Sequence, residues 1–127
     1  MLLFLRLTTA TVWLVFGLGF KVLNLVPRHE RIVAAVLGDD LAAPATLAVG
    51  VGETLLAAWI LLRRWPLACA ATQTVAIVAM NTLELLHARE HLLAPAPMVA
   101  ANTLFLAAAW FVAVRTHAGL ATQRENA

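Results

Sequence analysis

Four apolar stretches, each close to the width of a bilayer, constrain this chain more than any other feature of its sequence. They cover residues 7–26, 41–62, 67–87 and 97–114. A hydrocarbon core of about 30 Å needs ~20 helical residues to cross it. Inside it every backbone N–H and C=O must find its partner within the helix. Composition agrees: 62% of the 127 residues are hydrophobic and 13% charged, with a mean hydropathy of +0.85. A water-soluble chain this short has no interior large enough for so much apolar surface. The expectation is a single-domain, all-α membrane protein, a bundle of four transmembrane helices embedded in lipid.

The boundaries carry physical markers. Pro27 with Arg28 ends the first stretch, and Arg63-Arg64-Trp65-Pro66 is a charged turn with an aromatic suited to the interface. Pro95 and Pro97 open the fourth, where a missing N–H costs least. The opening Met1–Leu5 lacks the basic flank and the cleavage pattern of a signal peptide, so the first stretch is read as a retained helix. Between the first two spans, residues 28–38 are too short to cross and read as a short interfacial helix closed by Gly38. The polar tail, 116–127, is expected to fray. The tryptophans read mostly as interfacial anchors.

Charge sets direction and removes alternatives. Arg6, Arg63, Arg64, Arg115 and Arg124 fall on one side, Arg28, Arg31 and Arg89 on the other. The positive-inside rule then places both termini in the cytoplasm, with the chain in a cytoplasmic (inner) membrane. A formal charge of +2 is too small and scattered for nucleic acid. One cysteine, Cys69, leaves no disulfide or dithiol relay. The lipid bilayer is thus the first partner, and homo-oligomers are compatible with the sequence.

Function must lie with polar residues that a membrane disfavours, since a charge at its centre costs roughly 2.5–3.5 kcal/mol on insertion scales. Glu53 is the clearest, about twelve residues into its span and so ~18 Å deep. Lys21 is about five residues, or ~8 Å, from its outer end. Asn81 and Asn102 lie at comparable depth, with Glu84, His87 and Asn24 shallower. Helical spacing puts Trp13, Gly17, Lys21 and Asn24 on one stripe, and Thr46, Gly50, Glu53 and Ala57 on another. Gln73, Ile77, Asn81, Glu84 and His87 share a third face, and Met98, Asn102 and Phe105 a fourth. Turned inward, these faces form an outward-opening polar pocket with Glu53 at its floor and a mostly apolar lower half. Lys21 and Glu53 are its candidate catalytic pair, and Asn24, Asn81, Glu84, Asn102 and His87 its candidate ligand contacts. The depth offset of ~10 Å favours a bridging water or ligand between Lys21 and Glu53 over direct contact. Blander readings stand beside these. Lys21 can snorkel, the asparagines and Gln73 can be interhelical glue, and His29, His87 and His91 can simply be wet.

Val12-Trp13, Gly17 and Lys21 in the first span, Gly50-Val-Gly-Glu53 in the second, and Asn102 in the fourth resemble the DoxX-like membrane proteins, as does the approach Leu92-Leu-Ala-Pro95. The resemblance covers nearly the whole chain. It implies a four-helix membrane bundle with Lys21, Glu53 and Asn102 as characteristic polar positions. Relatives of that kind include subunits of membrane thiosulfate:quinone oxidoreductases and partners in redox-stress complexes.

Three function classes follow. One is a redox-associated subunit, working with a partner oxidoreductase, whose pocket takes a quinone-like or other lipid-soluble ligand. A second is a structural scaffold or small transporter without catalysis. The third is a metal site: Glu84-Leu-Leu-His87 is an E-x-x-H pair, but di-metal bundles need two such motifs and further glutamates. No metal or haem motif is convincing, and quinone is the one cofactor the first reading brings in.

Overall fold

The computed structural model describes residues Met1–Ala127, and the chain is helical throughout its length apart from short turns. Helix α1 spans Leu2–Leu14 and continues without a break as a π-helical segment, Val15–Val22. Helix α2 spans Arg28–Leu37, α3 Asp39–Leu62, α4 Pro66–His87 and α5 Pro95–Glu125. Four are long and apolar enough to cross a membrane: Leu2–Val22, α3, α4 and α5.

The first span starts earlier and ends earlier than the hydropathy pattern suggested. Arg6 does not mark a surface end, because its guanidinium turns into the bundle and donates from Nη2 to Thr116 Oγ1 at 3.0 Å. At the other end the helix stops at Val22. Asn24 adopts a left-handed φ of 49°, and Pro27 serves as N-cap of α2. Helix α2 closes on Gly38, whose φ of 90° and ψ of 160° a residue with a Cβ would strain to adopt.

The α3–α4 connection packs two left-handed residues, Arg63 (φ 58°) and Trp65 (φ 47°), into a tight turn. It is held by Trp59 Nε1 donating to the Arg64 carbonyl at 2.7 Å. Pro66 then starts α4 at its first turn, where the absent N–H is harmless. The tail expected to fray is helical to Glu125, so α5 is 31 residues long, or ~46 Å. Its length therefore exceeds a hydrocarbon width; Arg6 ties α5 to the bundle at Thr116, which is buried, and the turns beyond it are almost wholly exposed.

Helix α1 lies between α3 and α5, α5 pairs with α4, and α2 packs across α3, the π-helical segment and α4. The interior is thin. Ala10, Trp13, Leu56, Ala57, Ile60, Cys69 and Ile77 form its core cluster. Outward-facing positions such as Leu3, Leu55, Val75 and Leu104 are left exposed and apolar. A surface of this kind is stable against acyl chains and not against water. Trp13 departs from the interfacial role expected for the tryptophans: it is 3% exposed and donates from Nε1 to Gln73 Oε1 at 2.9 Å, which makes Gln73 an interhelical bond.

Candidate functional site: a buried lysine–glutamate pair

Two glycines create this site. A Cβ added to Gly17 would lie 2.7 Å from the Gly50 carbonyl oxygen and 2.8 Å from Glu53 Cβ. One added to Gly50 would lie 2.7 Å from Lys21 Cβ. Only glycine allows the first span and α3 to cross this closely. The crossing brings Lys21 against the stripe of Thr46, Gly50, Glu53 and Ala57, all buried. Lys21 Nζ donates to both Glu53 oxygens, Oε1 and Oε2, at 2.8 Å each. The side chains are 9% and 5% exposed.

The contact is direct, which corrects the expected water or ligand bridge. Counting depth from helix ends assumes that both outer ends lie in one plane. Gly17 against Gly50 shows instead that α3 projects beyond the first span there. Lys21 is level with Gly50, one turn or ~4.5 Å from Glu53, well within the reach of a lysine stem. The segment carrying Lys21 is also π-helical, a distortion that recurs at functional sites.

The other candidate residues divide. Asn102 Nδ2 donates to Asn81 Oδ1 at 2.8 Å, tying α5 to α4. Glu84 is half-buried on α4, within electrostatic reach of Lys21, Glu53 and Arg28. Asn24 is exposed, and its Nδ2 donates to Glu30 Oε2 at 3.4 Å, across the turn before α2. His87 is exposed, with Nδ1 3.3 Å from the Leu83 carbonyl of its own helix. No three of the metal-ligating side chains His, Cys, Asp and Glu come together.

The sequence pattern missed His29, Phe16 and Phe20 at this end of the bundle. His29, expected to be wet, is 9% exposed. It stacks on Phe20 with centroids 5.4 Å apart and meets Phe16 edge-on at 6.1 Å. Burial, helped by Lys21 and Arg28 and opposed by the Val26 carbonyl, pushes its pKa down to about 4, so the ring is neutral at pH 7. Its Nδ1, the Nε of Arg28 and the hydroxyl of Thr46 are buried without a hydrogen-bond partner. Phe16 also lies under the Lys21 ammonium, 5.8 Å from centroid to Nζ. An ion pair, an aromatic wall and unpaired polar atoms thus adjoin one another where α2 covers the bundle.

Below Glu53 the interior is mostly apolar, as the hydropathy pattern suggested, but beyond it the opposite end of the bundle is polar. A cavity of about 20 Å³ lies there, lined by Arg6, Arg63, Arg64, Gln73 and Thr116 among others. Whether Arg6 and Thr116 point inward is decided by α1–α5 contact, which the hydropathy of either helix alone does not reveal.

The chain matches no curated protein and no solved structure. A family model does match it, over residues 10–110, a stretch that takes in Lys21, Glu53, Asn81, Glu84 and Asn102. The chain belongs to the DoxX-like family and is a membrane protein built from several apolar helices.

Proposed function

We propose that this protein is a redox-associated membrane subunit that binds a quinone-like, carbonyl-bearing lipid-soluble ligand beside the Lys21–Glu53 pair. One observation carries the reading. A buried ammonium–carboxylate pair adjoins an aromatic wall of Phe16, Phe20 and His29, with polar atoms at hand that lack partners. Planar rings suit the aromatic wall. Lys21 can donate to a carbonyl oxygen that gains negative charge on reduction, while Glu53 is placed to give or take the accompanying proton. In a bilayer, α2 would lie at the outer interface and cover the site, and a partner oxidoreductase would supply or remove electrons.

The test is quinone content of the gently solubilised protein, compared with Lys21→Met and Glu53→Gln variants at matched yield. Near-stoichiometric quinone in the wild type, lost from either folded variant, is the expected result. Quinone no richer than in bulk membrane lipid would contradict it.

A second reading rests on the pair's own geometry. Lys21 satisfies both oxygens of Glu53, as expected of a clamp between the first span and α3 in a scaffold subunit. Replacing both residues by leucine distinguishes the two: a scaffold keeps its assembly, whereas a ligand-binding subunit folds and loses quinone.

A further inference from the structure

We propose that the arginine cluster at the end of the bundle carrying both termini binds a phosphate group, supplied by the headgroup of an anionic phospholipid. Arg6 is 8% exposed, yet Nη2 to Thr116 Oγ1 is its one side-chain hydrogen bond, and the remaining guanidinium donors are free. Neither ion pair in the chain involves an arginine. A buried cation without a carboxylate calls for an anion. Arg63 and Arg64, presented by the left-handed turn after α3, line the same cavity as Arg6.

A second groove of about 360 Å³ adjoins it, shares Arg63 and Arg64, and adds Arg124 from the last turns of α5. No acidic residue lines either space. The inner cavity has room for about one water, hence for one phosphate oxygen. The groove has room for the rest of a headgroup. Guanidinium forks match phosphate oxygens in pairs, which makes arginine the favoured residue for such recognition. The groove's edge distinguishes a lipid from a free anion: Leu62 and Trp65 line it and are 67% and 68% exposed. Apolar surface beside a phosphate seat offers a track for an acyl chain. This feature is independent of the Lys21–Glu53 site at the other end.

The experiment titrates the full detergent-solubilised chain with phosphatidylglycerol, phosphatidylcholine or inorganic phosphate, reading bound lipid by native mass spectrometry and the melting temperature. Phosphatidylglycerol should bind about tenfold or more tighter than phosphatidylcholine and raise the melting temperature. Arg63→Gln/Arg64→Gln, at two exposed positions, should remove that preference while the protein stays folded. Arg6→Gln should do the same if it folds, and the turn double variant decides the matter if it does not. Arg115→Gln, exposed on the same side and lining neither space, should bind like the wild type. Equal binding of the two lipids, or full preference in the turn double variant, would overturn the proposal. Stabilisation by inorganic phosphate alone would overturn the lipid source.

Discussion

At the scale of single residues, the Lys21–Glu53 contact is the one buried ion pair of the bundle. Bringing both charges out of water is costly, and the attraction between them largely offsets that cost, so breaking the pair hurts more than deleting it. Lys21→Met or Glu53→Gln alone should destabilise the protein by about 3–5 kcal/mol, because each leaves a buried group uncompensated. The double variant should lose less than the sum, with a coupling on the order of 1–3 kcal/mol in a denaturation cycle in detergent. Strict additivity would contradict the direct contact. Glu53 was legible in the sequence because a membrane seldom tolerates a carboxylate that has no task. The contact was not, since it depends on Gly17 meeting Gly50 across two helices. His29 and Arg6 escaped for the same reason. Each lies near the end of an apolar run, and the neighbouring helix, not its own, turns it inward.

At the scale of elements, punctuation was the most legible part. The Arg63–Pro66 turn and Pro95 mark real ends, whereas Pro27 marks the start of α2 and not the end of the first span, which stops at Val22. The π-helical segment and the helical tail of α5 left no such mark. The first alters winding without altering hydropathy, and the second begins at Thr116, which Arg6 reaches from the other terminus. Helix α2 should respond to pH through His29. His29 is neutral when folded, with its pKa lowered from 6.5 to about 4. The unfolded ring therefore takes a proton first, so the stabilisation is complete above pH 6.5 and is lost as pH falls toward 4. Hydrogen exchange in α2 should accelerate over that window in the wild type and change much less in His29→Phe. Exchange in α2 that is flat across the same window in the wild type would contradict the burial of this ring.

At the scale of the whole molecule, the two ends are chemically unlike. One carries an ion pair, an aromatic wall and the cover of α2, the other a cluster of arginines without acids. The positive-inside rule predicts that the arginine end faces the cytoplasm. In intact cells, with Cys69 replaced, a thiol at position 90 should react with an impermeant reagent and one at position 64 should not. The reverse pattern would invert the orientation. Composition alone was enough to show that a bilayer must surround this chain. What the end covered by α2 does with its buried charges is tested most directly by infrared difference spectroscopy on adding quinone to the reconstituted protein. Quinone should change a carboxylate band that is absent from Glu53→Gln and altered in Lys21→Met. Quinone-induced bands identical in wild type and Glu53→Gln would contradict it.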